Sequence, residues 1–227
     1  PQIATIQNNG VWTGGRDGRE MTFAALPGVV AGNLGFATAR QVNQENWYAL
    51  CRFRLTSDVG GMMFCEGSTT TELPVWLLNQ EGTGTRMFYR NDASTTGTAT
   101  HGPLLNDGNP HTVMMGLNWS TGLMSMYIDG APSVTATIPT GTITLDTSSI
   151  GHLQRPTSIQ LFTGGILLCG LWRGTLTPVI ARALHTQPYS LLLAQSPSKH
   201  YFLPAAGGGT TWGALLGLQN NRLVITT

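Results

Sequence analysis

The chain of 227 residues carries little charge of either sign. Charged residues make up 10% of the sequence, the net charge is +1, and Lys199 is the only lysine, whereas about a quarter of the residues are charged in a typical soluble domain. A protein that binds nucleic acid needs clustered lysine and arginine to contact phosphates, and the sequence has no such cluster. We therefore expect no nucleic-acid partner. Low charge fits a neutral polar surface or a subunit partly covered by its neighbours.

Long hydrophobic runs are also lacking. No stretch approaches the roughly 18 apolar residues of a membrane-spanning helix, so we expect no membrane insertion. The amino-terminal sequence Pro-Gln-Ile-Ala-Thr has neither the basic region nor the apolar region of a signal peptide. On this ground we expect a protein that is made in the cytosol and is not exported through a signal peptide.

Cysteine is scarce, with three widely spaced residues at positions Cys51, Cys65 and Cys169. Structural zinc sites use paired cysteine or histidine ligands at short spacing, and none of these cysteines has such a partner. We interpret the three as small buried hydrophobic residues, with a disulfide or a metal site as the alternative.

The most informative stretch that is present runs from Asn106 to Gly130. It reads as a turn, a strand, a tight reversal, a second strand and another turn. Residues of one face of the first strand are apolar, namely Val113, Met115, Leu117 and Trp119. The connection Ser120-Thr121-Gly122 ends in a glycine that can take the left-handed conformation of a bulged hairpin. Met124, Met126 and Ile128 then alternate with polar or aromatic residues.

Short strands punctuated by turns recur in the rest of the chain. The segment 47–55 alternates, which places its odd-numbered residues on one face, namely Trp47, Ala49, Cys51, Phe53 and Leu55. Further candidate strands are 61–67, 74–79, 85–90, 142–145, 149–153 and 162–173. Many short strands with regular turns are typical of an antiparallel β-sandwich. The sequence therefore predicts an all-β protein.

One helix is predicted near the carboxyl end. Thr177 can cap it through its hydroxyl, and Pro178 suits the first helical position, where a missing N–H is harmless. An apolar stripe would follow on one face, formed by Val179, Ile180, Ala183 and Leu184. Pro188 would end the helix.

The central hairpin resembles the "DG–x–WH–x–V–strand–turn–strand–x–x–DG" centre of laminin-G-like and concanavalin A-like jelly-roll domains. Residues Arg173 to Ala181 are similar to the closing strand and helix of the same domains. This resemblance covers about residues 25 to 190 and implies an antiparallel jelly-roll β-sandwich with one short C-terminal helix and an extended C-terminal tail. We predict an irregular N-terminal segment at 1–24, the sandwich at 25–193, and a linker with an assembly tail at 194–227.

Residues His185 to Leu192 are similar to a sequence motif of bacteriophage proteins with a lectin-like domain. This motif usually reads "L–x–x–N–P–W–Q–L". Here Gln187 replaces the asparagine and Tyr189 replaces the tryptophan. The resemblance implies a bacteriophage virion protein. Five residues of the tail are the candidates for contacts in assembly, namely Tyr201, Phe202, Trp212, Leu223 and Ile225. Two arrangements of the tail stay open: it donates a strand to a neighbouring subunit, or it folds back along the sandwich.

Carboxylate patterns bear on catalysis and on metal binding. Retaining glycoside hydrolases need two carboxylates roughly 5 Å apart, and neither Asp17 with Glu20 nor Glu66 with Glu72 falls on one strand face. We therefore expect no enzymatic activity. Calcium is conceivable at four turn aspartates, but each also has an ordinary turn-forming role; they are Asp92, Asp107, Asp129 and Asp146. No motif supports a cofactor.

Carbohydrate binding requires aromatic platforms beside polar donors. The candidate site consists of Trp76, Tyr89, Asn91 and Asp92. The leading hypothesis is a non-enzymatic virion structural protein, a capsid decoration or head-associated subunit, whose partners are other virion proteins and copies of itself. The first alternative is a tail fibre or receptor-binding subunit that recognises a host-surface glycan. The second alternative is a glycan-active hydrolase, which the missing carboxylate pair disfavours.

Overall fold

The computed structural model describes residues 45–56, 61–153, 155–156 and 160–188, together with the backbone of seven further short strands. The chain divides into two compact units, Pro1–Thr186 and Gln187–Thr227. The first unit is a sandwich of two antiparallel sheets with one short helix, so the predicted all-β jelly-roll-like fold is confirmed.

Each sheet of the sandwich contains seven strands, numbered here in chain order. In the first sheet the order is β1 (Thr5–Gln7), β4 (Asn33–Phe36), β13 (Thr147–Ile150), β6 (Gly61–Gly67), β7 (Val75–Glu81), β8 (Gly84–Arg90) and β9 (Thr96–His101). In the second sheet it is β12 (Ala131–Thr137), β11 (Leu123–Ile128), β10 (Pro110–Asn118), β5 (Trp47–Arg54), β14 (Gly164–Arg173), β3 (Glu20–Phe23) and β2 (Val11–Thr13).

The main hydrophobic core lies between the two sheets. The second sheet contributes the alternating faces of β5 and β10 that the sequence predicts, since Phe53 and Leu117 are buried and Trp47 and Trp119 pack against the cluster. The first sheet contributes inward-facing side chains of β6, β7 and β8, including Met63, Trp76, Leu78, Met87 and Tyr89. Burial of apolar surface on this scale is the dominant favourable term in folding.

The predicted hairpin is formed by β10 and β11 in the register Asn118↔Leu123. Gly122 has φ of 67°, the left-handed conformation expected for the reversal. At the other end of the hairpin the Asp129 carboxylate accepts a hydrogen bond from the Thr112 backbone N–H (2.8 Å) and one from His111 Nδ1–H (2.7 Å). His111 Nε2 also contacts Asp107 (3.0 Å). These bonds fix the start of β10 to the end of β11.

Helix α1 spans Pro178–Thr186 and begins as predicted, with Thr177 Oγ1 accepting a hydrogen bond from the Ile180 N–H (3.3 Å). Its buried residues are Ala181 and Leu184, while Val179 is 78% exposed and Ala183 is exposed. The predicted stripe is therefore wrong in part, because the face that packs on the sheet is rotated toward Ala181. Within the described ranges no helix is long and apolar enough to cross a membrane.

Helix α1 covers the outer face of the second sheet. There it contributes to a second cluster with Tyr48 and Leu50 of β5, Met114 of β10 and Tyr127 of β11. The central strands of this sheet are thus buried on both faces.

The predicted strand at 142–145 is a loop. Ile143 and Leu145 are buried in the core. The Asp92 carboxylate accepts hydrogen bonds from the Thr144 N–H (2.9 Å) and the Thr142 hydroxyl (3.0 Å). Apolar and polar residues therefore alternate here without strand pairing. The Asp92 side chain accepts hydrogen bonds that a neighbouring strand would accept in a sheet.

The predicted irregular character of residues 1–24 also needs correction. This segment supplies β1, β2 and β3, which pair with β4 and β14 or with each other and so extend both sheets. The physical reason is that a sheet edge offers unpaired backbone groups to any extended neighbour.

The C-terminal unit contains a three-stranded antiparallel sheet of β15 (Lys199–Phe202), β16 (Leu215–Gln219) and β17 (Arg222–Thr226). The predicted assembly residues Tyr201 and Phe202 lie in β15, and Leu223 and Ile225 lie in β17. Trp212 lies outside the described residues. The tail thus pairs its strands within its own unit, and the predicted roles of its residues in assembly stay predictions.

Leu117 and Leu123 provide a matched test of the hairpin register. Leu117 is buried and Leu123 is 44% exposed on the adjoining strand. We expect Leu117→Ala to lower the free energy of unfolding by roughly 2–5 kcal/mol because it leaves a core cavity. Leu123→Ala should change it by about 0.5 kcal/mol or less. Urea denaturation measures both, and equal losses would contradict the register.

The His111–Asp129 contact predicts a pH-dependent contribution to stability. The hydrogen bond to Asp129 raises the pKa of His111 above 6.5, so its contribution is complete below about pH 6.5 and disappears as pH rises through the raised value. Burial alone would raise the pKa of Asp129, but hydrogen bonds from His111 and Thr112 and the charges of His111 and His185 lower it below 3.8. Its contribution is lost only as pH falls through that lowered value.

We therefore expect His111→Gln to cost about 1 kcal/mol between roughly pH 4 and pH 6.5, and progressively less at higher pH. Urea midpoints across the pH range measure this difference. The control is His101→Gln, since the His101 ring bonds the neutral Ser133 hydroxyl (2.8 Å). A loss for His111→Gln that does not vary with pH would show that the ion pair does not form.

Candidate functional site

A pocket lies at one end of the second sheet. Because the strands are antiparallel, β5 begins at the end where β10 and β14 finish, with Trp47 opposite both Leu117 and Arg173. The residues at and just beyond these strand ends border an open concave space of about 500 Å³, lined by Glu45, Asn46, Trp119, Ser120, Arg173, Gly174 and Thr175.

Asn46 holds the pocket together. Its Oδ1 accepts a hydrogen bond from the Trp119 backbone N–H (2.8 Å), and its Nδ2 donates to the Thr175 hydroxyl (2.7 Å). Its backbone carbonyl accepts from the Gly174 N–H (2.7 Å), and its Nδ2 also lies 3.5 Å from the Ser120 hydroxyl. One side chain therefore connects the three separate segments that line the pocket.

Trp119 supplies the aromatic wall. The ring is half-buried and meets Tyr89 edge to face, with centroids 6.1 Å apart and planes at 74°. Its buried indole Nε1 finds no acceptor among the described residues. A tryptophan held in this way is a rigid lining residue, and an apolar aromatic face suits stacking on the C–H face of a sugar ring.

Arg173 and Glu45 supply charge at the rim. Arg173 Nη2 lies 2.8 Å from Glu45 Oε1, and their side chains are 70% and 40% exposed. An ion pair this exposed contributes little to stability because water screens it. The guanidinium can therefore exchange Glu45 for a ligand carboxylate, which it binds through two parallel N–H groups.

Among the described lining residues, Glu45 is the only carboxylate. Glycoside hydrolysis requires a pair of carboxyl groups flanking the scissile bond. The arrangement of one aromatic wall, one arginine and several fixed polar groups instead suits reversible binding of a polar ligand.

The predicted sugar platforms Trp76 and Tyr89 are fully buried in the core, which corrects their assignment to a binding site. They are register partners on β7 and β8. Trp76 Nε1 donates to Glu66 Oε2 (2.7 Å), and its ring packs against Phe64 at 5.3 Å. Burial, followed by the charge of Asp92, raises the pKa of Tyr89. Neither ring can stack on a ligand.

The other two predicted site residues brace loops. Asn91 is buried, donates to the Thr140 carbonyl (2.5 Å) and accepts from the Thr95 N–H (2.8 Å). Asp92 is committed to the 142–144 loop. The four predicted residues are therefore neighbours, but their contacts are structural.

The turn aspartates considered for calcium bond to backbone or side-chain groups nearby. Asp146 accepts from the Thr69 N–H (2.8 Å), and Asp107 from the Asn109 N–H (2.8 Å). Hydrogen bonds from Asn109 and His111 lower the pKa of Asp107 to about 2. Over the described part of the chain, no group of three histidine, cysteine, aspartate or glutamate side chains could hold a metal ion.

Sequence reasoning missed the pocket because its residues are far apart in the chain. Asn46 and Thr175 are separated by 129 positions, and Trp119 continues an alternating apolar pattern that indicates only core. The available clue was positional, since Glu45, Arg173 and Ser120 all lie at predicted strand ends.

No protein-family model matches the sequence, and no curated protein is significantly similar to it. Solved structures do resemble it. The CBM40 domain of Ruminococcus gnavus IT-sialidase, bound to α2,3-sialyllactose, aligns with a TM-score of 0.56 and 18% identity over 62% of this chain and 83% of that one. The binding domain of botulinum neurotoxin DC, in complex with SialylT, aligns with a TM-score of 0.63 and 9% identity over 99% of this chain and 68% of that one.

A structure of botulinum neurotoxin type C, described as interacting with two ganglioside molecules, aligns with a TM-score of 0.63 and 12% identity over 89% of this chain and 50% of that one. Identities this low show a shared fold alone. These similarities do not support the bacteriophage subgroup, which stays a prediction. The chain has the lectin-like all-β sandwich fold found in these carbohydrate-binding and receptor-binding domains.

Proposed function

We propose that this chain is a non-catalytic glycan-binding domain whose ligand occupies the pocket at the end of β5, β10 and β14. The observation that carries the proposal is that the half-buried Trp119 and the exposed Arg173 line one pocket whose segments Asn46 joins. The structural similarity to a sialyllactose-bound domain supports it.

The pocket favours a sugar that bears a carboxylate. Arg173 is the only cation among the described lining residues, and its exposed partner Glu45 occupies the place that a ligand carboxylate would take. The sugar ring would lie against Trp119, with its hydroxyls facing Ser120 and Thr175. Binding exchanges one carboxylate for another at the guanidinium, so desolvation of the arginine is largely avoided.

Arg173 is the residue that tests this site. We expect Arg173→Gln to weaken binding of sialyllactose by about tenfold or more, because a charged hydrogen bond is worth roughly 1.5–3 kcal/mol. Isothermal titration calorimetry measures the loss. The control is Arg182→Gln, an equal change of charge at an exposed position of α1, which should bind normally. Equal binding by both variants would contradict the site.

Glu45→Gln separates carboxylate recognition from general charge attraction in the same experiment. Removing the competing carboxylate should strengthen binding of sialyllactose by up to about fivefold and leave neutral lactose unaffected. A variant that binds both sugars less well would mean that Glu45 contacts the ligand. Release of free sugar on incubation with wild-type protein would favour the hydrolase alternative.

We further propose that the domain belongs to a bacteriophage virion, as a capsid decoration or head-associated subunit. The similarity of residues 185–192 to a bacteriophage sequence motif and the low charge support this location. The separate C-terminal unit with its own three-stranded sheet supports it as well. The glycan pocket itself favours the alternative role, a tail fibre or receptor-binding subunit that contacts a host-surface glycan. Both roles imply other virion proteins and copies of this chain as partners.

Removal of residues 205–227 tests the proposed assembly role of the tail. This deletion takes away β16 and β17, and we expect the sandwich to stay folded while self-association weakens. Circular dichroism and sedimentation velocity measure the two properties. An unfolded or insoluble product would show instead that the tail is part of the folded core.

A further inference from the structure

Two of the three cysteines face each other across the centre of the second sheet. Cys51 of β5 and Cys169 of β14 are directly opposed in the strand register, and both contribute to the main core. Their side chains lie side by side on the face of the sheet that packs into that core. Cys65 lies in the first sheet, in a different cluster. All three are free thiols.

The backbone already has the spacing that a disulfide needs. Directly opposed residues of antiparallel strands have Cα atoms about 4.5–5.5 Å apart, and disulfides span Cα separations of about 4.4–6.8 Å. Since the two side chains lie on the same face of the sheet at opposed positions, a bond between them requires only side-chain rotation and a small adjustment of the strands.

The two thiols differ in accessibility. Cys51 is completely buried, whereas Cys169 is half-buried. Burial, together with the hydrogen bond and the charge of Cys169, raises the pKa of Cys51 well above its usual range. Burial keeps reagents away from Cys51, and Cys169 is therefore the thiol that a reagent meets first.

We propose that Cys51 and Cys169 are a redox-responsive pair that closes into a cross-strand disulfide when a low-molecular-weight disulfide such as oxidised glutathione is the oxidant. Cys169 loses its proton and attacks one glutathione sulfur, which releases the first glutathione as a thiolate and leaves a mixed disulfide. Cys51 then loses its proton and attacks Cys169 Sγ, which releases the second glutathione. The protein is oxidised by two electrons and one glutathione disulfide is reduced to two thiols.

The bond would join the two strands that also form the glycan pocket. β5 leads back to Asn46 and Glu45, and β14 leads on to Arg173 and Thr175. A covalent link between these strands closes a very long loop of chain and restricts the unfolded state. Oxidation would therefore stabilise the support of the pocket without placing a sulfur atom in it.

The test is to treat the full chain with oxidised glutathione, alkylate the remaining thiols in denaturant, and map the peptides by mass spectrometry without reduction. We expect one crosslink between the peptides of Cys51 and Cys169, with Cys65 alkylated. The melting temperature should rise by roughly 5–15 °C and return to its starting value with dithiothreitol.

Two variants provide the controls. Cys65→Ala should retain the crosslink and the shift in melting temperature, whereas Cys169→Ser should lose both. Three alkylated thiols after treatment, a crosslink that includes Cys65, or a glutathione adduct that remains on Cys169 would each overturn the proposal. The peptide map of the wild-type chain decides the matter even where a variant does not fold.

Discussion

The sandwich depends on the burial of β5 on both of its faces. Ala49 and Phe53 of this strand face the first sheet, whereas Tyr48 and Leu50 face α1. The strand pairs with β10 on one side and with β14 on the other along nearly its whole length. This one strand thus contributes to the core, forms part of the surface on which α1 packs, and begins next to the pocket.

The two ends of the β5–β10 pair have different tasks. At the end where β10 begins, His111 and Asp129 close the sheet with charged hydrogen bonds. At the end where β10 finishes, the chain turns away and leaves Trp119 half-covered. At this second end the Asn46 side chain joins the strand ends through hydrogen bonds, whereas the ion pair of Arg173 and Glu45 is exposed to water. One strand pair is therefore closed by hydrogen bonds at one end and borders the pocket at the other.

Periodic features of the fold were predictable from sequence and contacts between distant segments were not. Alternation in 47–55 and 113–119 identified the inner faces, and Thr177 with Pro178 identified the helix start, because these are local properties of the chain. Trp76 was misassigned because its strand is apolar on both faces, so alternation could not tell inside from outside. No local pattern connects Asn46 or Arg173 with Trp119, since only strand pairing brings the three residues to one end of the sheet.

The hydrogen bonds of Asn46 also determine when the pocket comes into existence. They join segments separated by 73 and 129 positions, so they form only after β5, β10 and β14 have found each other. Contacts between such distant segments are late and slow events in folding. A ligand of this pocket would therefore recognise the completed sandwich alone, and its binding energy would add to the stability of the native state in proportion to the logarithm of ligand concentration.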